Sequence, residues 1–273
     1  MSASPIVNAM TIDVEEHFHA NVFDGTPVRD IQHTLASRVE ASTHRMLQLL
    51  DDSGTRATCF VLGAVADSHP ALVREIAARG HEIASHGYRW IHYQGVDEGT
   101  EREHMRLGMQ AIAQMTGTRP LGWYTGRDSP RTRRLVADYG GFAYDSDYYG
   151  DDLPFWLQVR KTDGALAPQL VVPYTLDCND MRFALPQGYS HADPFFQYMK
   201  DTFDALYAEG DPAGDNAPKM MSIGMHCRLL GRPGRITALQ RFLDHIQRHE
   251  QVWVARRIDI ARHWQSLFPA PQI

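Results

Sequence analysis

Acidic, imidazole and guanidinium side chains recur in this chain where apolar, β-forming runs end. The first cluster is Asp13-Val-Glu-Glu-His-Phe-His19, and the second sets His86 and His92 in the stretch 80–93. Further exits carry Tyr124 and Arg127, Asp145 and Asp147, Asp177 and Asn179, and His226 and Arg228. Carboxylates with two histidines suit a divalent ion of the zinc, iron or cobalt kind. A carboxylate beside them that is not a ligand can act as general base. His226 can protonate a leaving nitrogen, and Arg127 can orient the base or the substrate.

These groups need strands to deliver them. Residues 6–14 are rich in β-formers, and their alternation puts Asp13 and Glu15 on one face. Residues 56–62 read as a buried strand, and Ile83-Ala84 continue another up to His86, where Gly87 lets the backbone turn. Strands are also expected at 120–124, 142–147, 170–176, 219–226 and 251–255. Helices are expected near 38–52, from Pro70 to Gly80, and at 99–115, 130–139, 194–209, 233–249 and 257–267. Residues 21–36 and 210–218 read as loops. About eight β segments alternating with helices argue for an α/β fold with a parallel sheet or barrel, and 273 residues fit one domain over 1–273.

Hydrophobic content of 43% and charge of 22% supply an ordinary core. A net charge of −6 without a Lys/Arg block excludes the electrostatic footprint of a nucleic-acid or anionic-membrane binder. Three cysteines without a CxxC pair point to a reducing compartment, and the first ten residues lack a signal peptide or membrane span, so the cytoplasm is expected.

Each reading has a plainer rival. Asp13 could be a paired structural acid, His17, His19 and His92 loop residues, and Arg127 a bridge to Asp145 or Asp147. Cys227 beside His226 invites a Cys–His dyad, but strand neighbours point to opposite faces. Trp90, Trp123 and Tyr124 could be core, or flat walls for a small ring.

The motifs resemble the polysaccharide deacetylase (NodB-homology, carbohydrate esterase 4) superfamily, whose members are distorted (β/α) barrels that hydrolyse C–N bonds. Thr11-Ile-Asp-Val-Glu15 is similar to its first motif, implying Asp13 as catalytic base and Glu15 at a metal-ligand position. Ser85-His-Gly-Tyr-Arg-Trp90 resembles the second motif, Gly122-Trp-Tyr-Thr-Gly-Arg127 the third and Tyr144-Asp-Ser-Asp147 the fourth. Ser222-Ile-Gly-Met-His226 supplies the histidine of the last.

Up to about Gly87 the chain resembles exopolysaccharide-locus deacetylases, with Asn8-Ala-Met-Thr-Ile-Asp-Val-Glu-Glu16 and Arg56-Ala-Thr-Cys-Phe-Val-Leu-Gly63. From Ser85 onward it is more similar to the allantoinase branch, through Gly122-Trp-Tyr-Thr-Gly-Arg-Asp-Ser-Pro130, Tyr174-Thr-Leu-Asp-Cys-Asn-Asp-Met-Arg-Phe183 and Met225-His-Cys-Arg-Leu-Leu-Gly-Arg-Pro-Gly-Arg235. That resemblance implies opening of the cyclic amide of allantoin to allantoate, with Asp13 as base and His226 as acid, Arg127 and Asp145 assisting. Trp90, Tyr124, Asn179 and Arg228 are expected at the substrate. The alternatives are N-deacetylation of a polysaccharide and a non-catalytic binding descendant of the fold. Metal-dependent members place a second histidine four residues after the first, where this chain has Trp90. The metal set is then Glu15, His86 and His92, and the implied cofactor is none, or a weakly bound divalent ion such as zinc. Expected partners are a small-molecule ureide and further copies of the chain, with no nucleic acid or membrane.

Overall fold

The structure, a computed structural model, describes residues 6–14 and 31–272; Glu15, His17 and His19 lie outside the described residues. In chain order the elements are β1 (Ile6–Val14), α1 (Ile31–Asp52), β2 (Thr58–Val61), α2 (Gly63–Ser68), α3 (Pro70–Ala78), β3 (Glu82–Ser85) and α4 (Glu98–Thr116). There follow β4 (Gly122–Trp123), α5 (Thr132–Tyr139), β5 (Tyr144–Asp145), β6 (Phe155–Arg160), β7 (Leu166–Val171) and α6 (Ala192–Gly210). The series ends with β8 (Met220–His226), α7 (Ile236–Ile246), β9 (Val252–Ala255) and α8 (Arg257–Leu267). This is an α/β fold whose strands are mostly parallel, as the alternation of apolar runs and helices implied.

The chain forms two compact units. One comprises Met1–Ala57 and Thr175–Ala255, the other Thr58–Tyr174 and Arg256–Ile273.

In the first unit β1 runs parallel to both β8 and β9. β8, Met-Met-Ser-Ile-Gly-Met-His, is buried at every position, which a continuous apolar run allows and one-sided alternation would not. Among the residues with described side chains, Met46, Leu47 and Leu50 of α1, Phe195, Met199 and Phe203 of α6, and Leu239, Phe242 and Leu243 of α7 are buried core. α1 begins at Ile31, inside the stretch expected as loop; residues 31–36 contain neither Gly nor Pro, so nothing breaks the helix there.

In the second unit β2, β3, β4, β5 and β7 are parallel neighbours, and β6 pairs antiparallel with β7. β6 covers 155–160, where no strand was expected, and β7 begins at Leu166, four residues before the strand expected at 170–176. The two strands form a hairpin whose turn uses Gly164 at φ +86. α2 was also missed. It packs close to α4 because Gly63 has no side chain: a Cβ there would lie 2.7 Å from the Gly108 Cα.

A polar knot ties α8 into this unit. Glu82, on β3, accepts from Thr58 Oγ1 (2.6 Å), Tyr144 OH (2.9 Å) and the Ile258 N–H (2.9 Å). The wholly buried Arg257 donates to Ser146 Oγ and to the carbonyls of Val172 and Pro173, at 2.8–3.2 Å. Burial raises the Glu82 carboxyl above its ordinary range, and these donors pull it back.

Candidate active site

Asp13 and His226 are register partners in the parallel ladder between β1 and β8. Paired residues of parallel strands face the same way, so both side chains leave the sheet together, with His226 Nε2 3.3 Å from Asp13 Oδ2. Both are buried. The other imidazole nitrogen, Nδ1, lies 2.6 Å from Asp180 Oδ1. A carboxylate only accepts, so Nδ1 carries the proton and donates it to Asp180. Asp180 Oδ2 accepts the backbone N–H groups of His226 and Leu230, each at 2.9 Å. Asp180 opens a 3-10 turn, Asp180–Ala184, docked on β8 by the bridge between Asn179 and Gly224.

Burial lowers the His226 pKa, but the Asp180 and Asp13 carboxylates outweigh it, and the group is held above the ordinary imidazole range. The arrangement is an oriented imidazole with one face on a fixed carboxylate and the other on Asp13, able to take, hold and return a proton.

Asp180 is the residue sequence reasoning missed. The pattern Asp177-Cys-Asn-Asp180 drew attention to Asp177 and Asn179, yet Asp177 is exposed, and Asn179 serves the turn, accepting the Met181 N–H (2.9 Å) and donating to the Thr175 carbonyl (3.2 Å). Arg228 reaches Met181 Sδ at 3.6 Å, and its charge acts to lower the His226 pKa. Burial pushes the Cys227 thiol up to about 12, so it is no nucleophile at neutral pH, as the rejected dyad required.

In the second unit His86 follows β3 directly, and Gly87 turns the chain at φ +76 as expected. His86 Nδ1 donates to the Tyr124 carbonyl at 2.7 Å, which leaves the lone pair on Nε2. The ring stacks on Tyr124 (5.1 Å, 15°), and Tyr124 stacks in turn on Tyr174 (4.2 Å, 18°). The segment 124–126 is fixed by Asp147, whose carboxylate accepts the N–H groups of Thr125 (3.1 Å) and Gly126 (2.8 Å). Asp145 accepts the Asp147 N–H (2.8 Å) and the Gln169 amide (2.7 Å), and its partner cation is Arg133 at 3.6 Å. Burial and the neighbouring Asp145 push Asp147 up to about 8. Asp145, expected among the catalytic groups, is buried and fixes the backbone at Asp147.

Arg127 does not bridge to either acid. Its guanidinium lies 4.0 Å from the Trp90 ring centroid and donates to the His92 ring. Arginine only donates, so it occupies a lone pair that a metal would need, and it sets a fixed cation beside it. His92 therefore does not fit as a ligand. Among the described residues no group of three metal-ligating side chains includes His86.

A family profile described as polysaccharide deacetylase matches residues 15–141. A Schizosaccharomyces pombe protein assigned to the polysaccharide deacetylases is 40% identical over 260 residues, covering 90% of this chain and 80% of that protein. The crystal structure of the Puue allantoinase is similar with a TM-score of 0.90 and 44% identity, covering 99% of this chain and 93% of the other. A Pseudomonas aeruginosa PAO1 structure assigned as a polysaccharide deacetylase has a TM-score of 0.88, also with 44% identity, covering 97% and 93%. With an Asp–His–Asp relay at the ends of parallel strands and relatives of this closeness along nearly its whole length, the chain belongs to the polysaccharide deacetylase family of C–N hydrolases.

Proposed function

We propose that the protein opens the cyclic amide of a small ureide, as an allantoinase converting allantoin to allantoate. One observation carries the reading. Deacetylases of this family are typically metal-dependent, and here Trp90 stands where such members place their second histidine, with Arg127 laid over its ring and bonded to His92. A hydrolase of this family without that ligand set resembles the allantoinase branch, and the likeness to the Puue allantoinase supports it.

In this reading Asp13 takes a proton from water as the water oxygen attacks the ring carbonyl. When the C–N bond breaks, His226 gives its Nε2 proton to the departing nitrogen, and Asp13, 3.3 Å away, returns the proton it took. Asp180 keeps the imidazole in the tautomer this needs. Substrate contacts at Trp90, Tyr124 and Arg228 remain part of the proposal, as does a reducing, cytoplasmic setting. The latter rests on Cys59, Cys178 and Cys227 being buried thiols, none in a disulfide. Among the described residues no helix is long and apolar enough to cross a membrane.

Polysaccharide N-deacetylation is the second reading, favoured by the Schizosaccharomyces pombe and Pseudomonas aeruginosa relatives. Incubation with allantoin and separately with chitooligosaccharides decides between them. Allantoate without acetate is the expected result; acetate alone overturns the proposal.

A further inference from the structure

A second cluster of ligating side chains lies in the first unit, outside the Asp–His–Asp relay. Asp204 of α6, His245 of α7 and His249 in the turn that follows α7 bring one ligand atom each within 4.8 Å of the others. His245 Nε2 is 2.7 Å from Asp204 Oδ1. His249 Nδ1 donates to the His245 carbonyl at 3.0 Å, so its lone pair is on Nε2. The residues are held in place by aromatic neighbours. Phe203 lies edge-on to both imidazoles, and Tyr207 packs on His249 while its hydroxyl pins the Glu250 carbonyl at 3.0 Å.

From this geometry we infer that Asp204, His245 and His249 form a binding site for a divalent transition ion of the zinc class. Two imidazoles and one carboxylate suit zinc, cobalt, nickel or copper and not magnesium or calcium. The ion replaces the proton now shared between His245 and Asp204, and three protein ligands leave coordination positions for water. Lys200 pairs with the far oxygen of Asp204, Oδ2, which keeps Oδ1 turned to the histidines. His245 also lines a cavity of about 350 Å³. The histidine that fixes itself through a backbone carbonyl is the arrangement that outer hydrogen bonds give to metal-bound imidazoles.

The test uses the untagged, metal-stripped full chain titrated with Co²⁺, read by visible absorption, and with Zn²⁺ against a chromophoric chelator. One equivalent of ion with cobalt d–d bands is expected. The His249→Gln and Asp204→Asn variants should lose the bands and weaken Zn²⁺ binding at least as much as the roughly 10–100-fold that loss of an outer-sphere partner costs. His86→Gln should leave both signals unchanged. His249 lies half-exposed in a turn, so its variant is checked for an unaltered circular dichroism spectrum. Bands that survive His249→Gln, or Zn²⁺ binding equal in the parent and that variant, overturn the assignment.

Discussion

Asp13 and His226 occupy one rung of the β1–β8 ladder, and the carboxylate oxygen of one lies 3.3 Å from the imidazole nitrogen of the other. Strand register sets the two backbones side by side, and the hydrogen bond from His226 Nδ1 to Asp180 holds the imidazole toward Asp13. Asp13→Asn and His226→Gln should each lower kcat by about 10²–10⁴-fold with the fold intact. Because the two act as a unit, the double variant should lose little more than either single one.

The pH profile tests Asp180. His226 is held above the ordinary imidazole range, so a proton needed on Nε2 persists above pH 6.5, and the alkaline limb of kcat/KM should lie above that value. For stability the sign is the same: the carboxylate–imidazolium contribution is complete below about pH 6.5 and fades as pH rises through the raised pKa. Asp180→Asn should move the alkaline limb toward acid. A limb that stays put would show that Asp180 serves structure alone.

Metal removal tests the reading of Trp90, Arg127 and His92. Turnover should survive chelation, and His92→Ala should retain kcat within about a factor of ten, below the loss typical of a catalytic group. Abolition of turnover by EDTA, restored by zinc, would put the polysaccharide reading ahead. Zinc at Asp204, His245 and His249 would not blur this result, since its removal is expected to leave hydrolysis unchanged.

The Asp145–Asp147 pair tests how the 124–126 loop is held. Asp147 titrates near 8 in the fold against 3.8 for an ordinary aspartate, so the unfolded chain loses its proton first as pH rises. Its effect is a loss of stability between about pH 4 and pH 8. Asp147→Asn, which keeps an acceptor for the Gly126 N–H, should flatten that slope by more than about 1 kcal/mol in pH-dependent denaturation.

The buried Arg257 is the stability test. Arg257→Met leaves two carbonyls and the Ser146 hydroxyl unserved and Glu82 without its nearby cation, and should cost about 3–5 kcal/mol by urea unfolding.

Most elements were legible because their signals are local. Residues 257–267 carry a full amphipathic helix with Pro269 just beyond, and β8 carries a mainly apolar run that ends in His226. The strands of β4 and β5 are only two residues long, but the glycines and aromatics around them marked their place. What stayed hidden depends on partners distant in sequence. Asp180 gains its meaning only from His226, and nothing near it distinguishes it from Asp177. Arg133 was one of four arginines within eight residues, and only the folded chain chooses it over Arg127 as the partner of Asp145. β6 was missed because it is an edge strand, half-buried and without a continuous apolar run.

The knot around Glu82 also orders events in time. Its Ile258 donor lies 176 residues downstream, and the Thr58 contact to Arg257 spans 199. While the chain is being synthesised, β2 and β3 can pair, but Glu82 stays a buried acid short of a donor until α8 arrives. Shortened chains that end before Arg257 should therefore stall as partly folded species that recruit chaperones, and completion of the second unit should be slow, as closure over such long loops requires.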